Sequence, residues 1–313
     1  MKYRRLGNSG LEVSVVGLGA NNFGRRMDLK QTDEVIKQSV DLGINLIDTS
    51  NSYGGGLSEE YIGKSTKAIR SQVVLATKVA SRLKDGPHQQ GASRKHIMDQ
   101  VDISLRKLGT DYIDLYQIHF HDHNTPILET LRTLDDLVRQ GKVRYIGCSN
   151  YAAWQVTEAI WTSRTFHLEP FVSVQPEYSM LNRSVESEII PCCQMYGLGI
   201  LPYFPLASGF LTGKYQRGQP VPEGTRFFGN EQSQERTLTD RNFDLLERLE
   251  GFAAQREHPM AELAIAWLLA NPLVSSVIAG ATKVDQVVTN AKAADWLLST
   301  DDIQEVNSIL DNR

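Results

Sequence analysis

The chain has 313 residues, of which 41% are hydrophobic and 22% are charged, and its formal net charge is −4. This composition indicates a globular protein with a large core, and the scattered charges argue against a nucleic-acid or anionic membrane surface. Because there is no run of about 18 apolar residues, no membrane-spanning helix is predicted. The basic residues at positions 1–5 precede a polar cluster instead of an apolar signal core, so we expect a cytoplasmic protein.

The predicted elements begin with two short strand-like segments, 3–6 and 11–15, around a Gly/Asn/Ser cluster, which indicates a β-hairpin. Apolar strand-like runs then alternate with amphipathic helix-like stretches. The predicted strands lie near 15–19, 44–48, 73–77, 114–118, 144–148, 171–175, 199–203 and 275–279. The predicted helices lie near 30–42, 59–70, 93–108, 127–140, 152–163, 185–196, as a pair within 240–271, and at 283–294 and 300–310. Thr32 and Ser58 are predicted to open the first two helices.

Eight strand–helix units indicate an α/β protein with a parallel sheet, most simply a (β/α)8 TIM barrel with an N-terminal β-hairpin and two C-terminal extra helices. The alternative is an open doubly wound sheet, which usually carries G-x-G-x-x-G after its first strand. Gly17 and Gly19 fit that pattern loosely, but Asn22 stands where the third glycine belongs. We therefore expect a barrel that forms one domain over residues 1–313.

The three cysteines, Cys148, Cys192 and Cys193, are too few and too irregularly spaced for a disulfide framework. Two adjacent cysteines suit neither an ordinary disulfide nor a zinc site. We expect thiols that pack as small hydrophobic side chains.

The longest stretch without a regular pattern is 216–239, which is rich in Gly, Pro, Ser and Arg. It follows the seventh predicted strand, so in a barrel it would lie over the carboxyl ends of the strands. Loops of this length are usually functional or disordered. The sequence leaves open whether this loop is a lid or a disordered segment.

Four polar residues follow apolar strand-like runs or the loops just after them: Asp48, Tyr53, Lys78 and His119. In a barrel such residues gather at the face where active sites lie. A lysine close to a tyrosine favours the phenolate, and a carboxylate beside the lysine would keep it charged despite burial. A histidine can donate a hydrogen bond to a substrate oxygen. Together these groups could protonate an oxygen that becomes negative, such as a carbonyl oxygen receiving hydride.

Each of these residues has an ordinary structural interpretation, as a cap, an ion-pair partner or a satisfied core residue. Because they occur together on successive strand ends, a catalytic site is favoured over these structural interpretations. A metal site at His119, His121, Asp122 and His123 was weighed as well, since these residues have ligand-like spacing. The segment runs from a strand end into a loop, so its histidines need not converge, and no metal is predicted.

Here the sequence resembles the aldo-keto reductase family, over almost the whole chain. The motifs are LIDTS at 46–50, YGGGLSE at 53–59, ATK at 76–78, DYIDLYQIH at 111–119, RYIGCSN at 144–150 and PLASGFLTGKY at 205–215. The likeness is greatest to the bacterial branch that resembles potassium-channel β subunits and inositol-catabolism reductases. It implies a (β/α)8 barrel whose hairpin closes the bottom, and NADPH-dependent reduction of aldehydes or ketones. Tyr53 would be the general acid, with Lys78 and Asp48 tuning it and His119 placing the carbonyl.

The resemblance also implies a set of cofactor-binding residues. Ser149, Asn150 and Gln175 would hold the nicotinamide carboxamide, and Tyr203 would stack on its ring. The full set is Gly19, Ala20, Asn21, Asp48, Ser149, Asn150, Gln175, Tyr203, Pro205, Leu206, Ala207, Ser208, Gly209, Leu211, Lys214, Gly280, Thr282, Lys283, Gln286 and Asn290.

Three positions near the C-terminus depart from the family's pattern. Many members carry Lys-Ser where this chain has Gly280 and Ala281, and many carry Arg where it has Gln286. Lys283 is then the candidate for the 2′-phosphate of NADPH, with Arg226 second, and NADH stays the alternative cofactor.

The sequence therefore predicts an NADP(H)-dependent carbonyl reductase. Its expected partner is a small-molecule carbonyl substrate. The sequence is also compatible with a homo-oligomer. The alternative is an NADPH-binding, redox-sensing module with slow turnover.

Phe23, in the loop after the first barrel strand, either borders the substrate or packs beneath that loop.

Overall fold

A computed structural model describes residues 1–311, so the last two residues of the predicted domain lie outside it. The chain opens with the predicted antiparallel hairpin, β1 (Tyr3–Arg5) and β2 (Glu12–Ser14). Leu6 and Val13 of the hairpin are fully buried against side chains that point into the barrel. The hairpin therefore closes the amino end of the barrel by burying apolar surface there.

Eight parallel strands form the predicted barrel, in the order β10-β3-β4-β5-β6-β7-β8-β9. They are β3 (Val16–Gly19), β4 (Leu46–Asp48), β5 (Val74–Val79), β6 (Ile113–Ile118), β7 (Val143–Ser149), β8 (Ser173–Gln175), β9 (Gly199–Ile200) and β10 (Val277–Gly280). Parallel bridges from Ile200 to Val274 and from Tyr203 to Ile278 join the two ends of this order. The TIM-barrel prediction is confirmed, and the open sheet is excluded by this closure.

Eleven α-helices occur within residues 1–311, and none of them is long and apolar enough to cross a membrane. They are α1 (Leu29–Asp41), α2 (Leu57–Thr66), α3 (Arg94–Leu108), α4 (Ile127–Arg139), α5 (Ala153–Phe166), α6 (Ile189–Tyr196), α7 (Glu231–Thr237), α8 (Asp240–Ala254), α9 (Met260–Leu269), α10 (Val284–Lys292) and α11 (Thr300–Asp311). The two extra C-terminal helices are α10, which follows the last strand, and α11. Both lie where the sequence predicts them.

The first two helices lie within a few residues of their predicted bounds, but the residues predicted to open them, Thr32 and Ser58, were wrong. Helix α1 begins three residues before Thr32, because Asp28 and Gln31 form a capping box there. Helix α2 begins before Ser58, whose hydroxyl is buried and donates to the carbonyl oxygen of Ala20 at 3.0 Å. A serine near a helix start can thus bind a neighbouring loop in place of its own backbone.

The long loop 216–239, named the lid below, contains helix α7, although the sequence predicts no regular structure there. None of the helix's seven residues is buried, so it shows no apolar periodicity that could reveal it. Asn230 caps it by accepting a hydrogen bond from the Ser233 amide at 3.1 Å.

The barrel interior has an apolar lower layer and a polar upper layer. The lower layer contains Leu46, Val74, Ala76, Leu115, Leu201 and Ile278, which pack together. Side chains on a strand alternate between the two faces, so the residue two positions further on also points inward. By that rule Asp48 follows Leu46, Lys78 follows Ala76 and Gln117 follows Leu115, and all three are buried. The alternation of side chains along the strands thus places a polar cluster at the carboxyl end of the barrel.

Candidate active site

The centre of the site is a buried ion pair between Lys78 and Asp48. The Lys78 Nζ lies 2.6 Å from Asp48 Oδ2 and donates to the Thr49 carbonyl oxygen at 2.8 Å. Burial by itself lowers the pKa of Lys78, but the Asp48 carboxylate and then the Tyr53 phenol outweigh it and raise that pKa above its usual value. The ammonium therefore stays charged in a site from which water is excluded.

Two amides hold the other oxygen of this carboxylate. Asp48 Oδ1 accepts hydrogen bonds from Gln175 Nε2 at 3.0 Å and from Gln117 Nε2 at 3.2 Å. Both glutamines are buried, at the ends of strands β8 and β6. Asp48 is thus fixed in orientation from three sides, which keeps the Lys78 ammonium in one place.

Tyr53 lies beside the ion pair on a tight turn. The Lys78 Nζ is 5.2 Å from the centre of the Tyr53 ring, which is half-buried and borders a cleft of about 550 Å³. Tyr53 begins a 3₁₀ turn in which Gly54 adopts a left-handed φ of 59°. A Cβ at Gly54 would lie 2.7 Å from the Phe23 carbonyl oxygen, so only glycine allows the two loops to meet. The turn thus brings the phenol over the lysine.

His119 completes the cluster as a neutral imidazole. Its Nδ1 lies 2.8 Å from the Ser81 hydroxyl and 3.2 Å from the Ser50 hydroxyl, and its ring meets that of Tyr53 edge to face at 5.8 Å. Burial, and then the charge of Lys78, lower the pKa of His119 to about 3. A neutral ring whose Nδ1 accepts from a hydroxyl carries its proton on Nε2. In the tautomer whose Nδ1 accepts from the Ser81 hydroxyl, His119 can donate from Nε2 to a substrate oxygen.

The buried His119 should make the protein sensitive to acid. In the unfolded chain it takes up a proton near pH 6.5, whereas the folded protein resists it down to pH about 3. Between these values stability is lost as the pH falls, by up to about 1.4 kcal/mol per pH unit from this residue. Urea unfolding at a series of pH values should show a shallower loss in His119→Gln than in wild type. Equal slopes in the two proteins would show that His119 titrates normally.

The residues assigned to the nicotinamide carboxamide adjoin this cluster at the ends of strands β7 and β8. Asn150 Nδ2 donates to the His119 carbonyl oxygen at 2.9 Å, and the Ser149 hydroxyl donates to the Gln175 carbonyl oxygen at 2.7 Å. The Tyr203 hydroxyl donates to Asn150 Oδ1 at 2.7 Å. These residues place amide groups, a hydroxyl and an aromatic ring side by side, hydrogen-bonded to one another and to the backbone, and groups of these kinds are the ones that bind a nicotinamide amide and ring.

The loop assigned to the pyrophosphate has an unusual backbone. Ala207, Ser208 and Gly209 have φ angles of 44°, 58° and 89°, a succession of left-handed residues that suits anion-binding backbone amides. The Lys214 ammonium lies so close to Gly209 that any Cβ there would collide with it. Pro205, Leu206 and Leu211 belong to the same segment, in which the Leu211 amide donates to the Leu206 carbonyl oxygen at 3.2 Å. The loop and the lysine therefore fit a bound anion.

Most of the residues assigned to the adenosine end lie at the amino end of helix α10, and Asn290 lies near its carboxyl end. Lys283 occupies the N-cap position and is exposed, and Asn290 is buried within the helix. The Thr282 amide donates to Gln286 Oε1 at 2.7 Å. A helix N-terminus with an exposed lysine suits a phosphate group.

The remaining residues assigned to the cofactor lie where β3 meets its neighbours. Gly19 pairs with Gly280 of β10, and the Ala20 amide donates to the Asp48 carbonyl oxygen at 2.9 Å. Asn21 borders the cleft beside Tyr53. Phe23 is fully buried, so it packs beneath its loop instead of facing a substrate.

Sequence reasoning missed Gln117, Ser50 and Ser81 as parts of the site. Gln117 could have been found, because it stands two residues before His119 and therefore on the same face of its strand. Ser50 and Ser81 gave no such signal, since they lie in loops whose approach to the His119 ring depends on the fold.

Among residues 1–311, no group of three or more His, Cys, Asp or Glu side chains is arranged to hold a metal ion.

A family model described as the aldo/keto reductase family matches residues 15–311. A probable voltage-gated potassium channel subunit beta of Arabidopsis thaliana is 38% identical, over 94% of this chain and 92% of that protein. A protein of the same description from Oryza sativa subsp. japonica is 37% identical, over 100% and 98%. An L-glyceraldehyde 3-phosphate reductase of Escherichia coli (strain K12) is 34% identical, over 98% and 92%.

These matches confirm the family predicted from the motifs, including the likeness to potassium-channel β subunits. Aldo/keto reductases are oxidoreductases that use a nicotinamide cofactor and act on small carbonyl compounds. The chain, with its TIM barrel and the polar cluster at the carboxyl ends of the strands, belongs to the aldo/keto reductase family.

Proposed function

We propose that the protein reduces small aldehydes or ketones to alcohols with NADPH, and that Tyr53 is the general acid. The observation that carries this proposal is the buried Lys78–Asp48 ion pair beside Tyr53, whose side chain borders an open cleft. A fixed cation next to a phenol favours the phenolate, which is the state that remains after the phenol gives up its proton.

Each residue of the cluster has a distinct task in this reaction. The bound nicotinamide would supply the hydride to the carbonyl carbon. Tyr53 transfers its proton to the carbonyl oxygen as negative charge develops there, and Lys78 stabilises the phenolate that results. His119 donates from Nε2 to the same oxygen, so that the carbonyl is held within reach of the phenol. Asp48 keeps Lys78 charged and in place throughout.

Three groups of residues would hold the cofactor. Ser149, Asn150 and Gln175 would bind the carboxamide, and one amide proton of Gln175 is already used on Asp48. The ring of Tyr203 would stack on the nicotinamide. The left-handed loop near Gly209 would hold the pyrophosphate through backbone amides.

The 2′-phosphate that distinguishes NADPH from NADH is proposed to lie at Lys283. Replacing Lys283 with Ala should weaken NADPH binding about tenfold, a loss typical of one charge-assisted contact, and should leave NADH binding nearly unchanged. Fluorescence titration with both cofactors measures this. Lys292→Ala is the matched control, because Lys292 is a lysine at the other end of the same helix. Equal weakening of NADPH and NADH in Lys283→Ala would refute the assignment.

Steady-state oxidation of NADPH with 4-nitrobenzaldehyde tests the activity. Wild type should turn over rapidly, and Tyr53→Phe should not.

Two of the relatives are named as potassium-channel subunits, which favours a second candidate, a slow NADPH-binding sensor. Tight cofactor binding with turnover no faster in wild type than in Tyr53→Phe would support the sensor and reject the reductase.

A further inference from the structure

A group of basic side chains lies near the cleft that Tyr53 borders, and one of them, Arg25, lines it. Arg25 is exposed and lines this cleft, which is bordered by the loop after β3 on one side and by residues 52–55 on the other. The neighbouring Arg26 donates to the Thr225 carbonyl oxygen of the lid at 3.3 Å. The lid is thereby held over the same loop, and it contributes a third arginine at the next position, Arg226.

Arg226 and Lys214 belong to the same electrostatic group. Burial, followed by the charges of Arg26 and Arg25, lowers the pKa of Arg226. Burial, followed by the charges of Arg226 and Arg26, lowers the pKa of Lys214. These four residues, Arg25, Arg26, Lys214 and Arg226, are called the cationic rim below. They are close enough to repel one another, so the rim has a local excess of positive charge.

The rim has no carboxylate to balance it. Within residues 1–311 none of its four members forms an ion pair, although Arg70, Arg183 and Arg256 elsewhere all pair with carboxylates. The Phe204 ring, 4.7 Å from the Arg226 guanidinium, supplies only a cation–π contact. A cation without an ion-pair partner that lines a cleft, with further cations close by, raises the local concentration of anions there and can bind them. A carboxylate or a phosphate suits a guanidinium, because each can accept two parallel hydrogen bonds.

The proposed reaction has two ligands, the cofactor and the carbonyl substrate, and different residues of the cationic rim lie near the site of each. Lys214 lies against Gly209, in the loop proposed for the cofactor pyrophosphate. Arg25 instead shares a cleft with Tyr53, whose phenol would protonate the substrate oxygen. An anion on the substrate can therefore reach Arg25 while its carbonyl lies at the phenol.

We propose that the substrates of this enzyme are small aldehydes or ketones that carry a carboxylate or phosphate group, and that Arg25 binds this group. This inference rests on the proposed carbonyl reduction and names its substrate class. Arg25 is a specificity residue, since it contacts the part of the substrate that does not react.

Two aldehydes of nearly the same shape test the proposal, 4-carboxybenzaldehyde and its neutral amide, 4-carbamoylbenzaldehyde. Wild type should prefer the carboxylate in kcat/KM, and Arg25→Gln should reduce the ratio of the two kcat/KM values about tenfold. Arg25→Lys should keep part of the preference, because it keeps the charge. Lys30→Gln, which removes a nearby exposed charge outside the cleft, should leave the ratio unchanged.

Equilibrium dialysis of both aldehydes against enzyme saturated with NADP⁺ separates binding from turnover. Preferred binding of the carboxylate that is lost in Arg25→Gln supports the anion site even if no turnover occurs, in which case only the proposed reduction fails. A ratio that does not change in Arg25→Gln, in either assay, overturns the proposal. Weaker NADPH binding in Arg25→Gln, with equal losses for both aldehydes, would overturn it as well by assigning Arg25 to the cofactor.

Discussion

Replacing Tyr53 with Phe should lower kcat for aldehyde reduction by about 100- to 10,000-fold, the usual contribution of a positioned general acid. The substitution removes one oxygen atom and leaves the half-buried ring in place beside Lys78. Protonation of the carbonyl oxygen would then depend on water or on His119. Because the pKa of His119 is about 3, its ring is neutral near pH 7 and is a poor proton donor there.

NADPH binding should be nearly the same in Tyr53→Phe as in wild type, because the residues proposed to hold the cofactor are unchanged. Stopped-flow or steady-state kinetics together with a fluorescence titration measure the two effects separately. Tyr61→Phe serves as the control, since Tyr61 is a half-buried tyrosine on helix α2 rather than in the cleft. Full activity in Tyr53→Phe would remove the phenol from the mechanism.

Replacing Lys78 with Met should damage both stability and activity. The substitution leaves the buried Asp48 carboxylate without its cation, which typically costs about 3–5 kcal/mol of the free energy of unfolding. It also removes the charge that stabilises the Tyr53 phenolate, so kcat should fall at least as far as in Tyr53→Phe. Urea unfolding and steady-state assays on the same preparations measure the two losses.

The double variant Asp48→Asn with Lys78→Met separates stability from catalysis. It removes both charges but keeps an amide oxygen that can accept from Gln117 and Gln175. The double variant should therefore regain much of the stability that Lys78→Met loses, while its activity stays low. If the double variant were as unstable as the sum of the two single variants, the ion pair would contribute nothing as a pair.

The barrel and the polar cluster at the carboxyl ends of its strands could be predicted because both depend on local patterns. Strands buried on both faces give continuous apolar runs, and polar residues that end such runs must meet at one end of the barrel. Lys78 and Asp48 lie on neighbouring strands of the sheet, so their contact follows from the strand order alone. The cap of α1 was missed although Asp28 and Gln31 form a capping box within the local sequence, whereas the cap of α2 failed because Ser58 binds the distant Ala20 carbonyl oxygen.

The cationic rim could not be predicted, because it depends on contacts between distant loops. Arg26 and Thr225 are 199 positions apart and meet only when the lid folds over the loop after β3. Helix α7 within the lid is polar on all sides, so no hydrophobic pattern marks it. The sequence gives no indication that Arg25 and Tyr53 share a cleft, which is why the proposed substrate class could be argued only once the structure was known.

Transfer of deuterium from NADPH deuterated at C4 of the nicotinamide to 4-nitrobenzaldehyde tests the central claim most directly. With one of the two C4 diastereomers, wild type should form 4-nitrobenzyl alcohol that carries a single deuterium on the carbinol carbon, and Tyr53→Phe should form almost none in the same time. Alcohol without deuterium from both diastereomers, or equal product from wild type and Tyr53→Phe, would contradict hydride transfer assisted by the Tyr53 phenol.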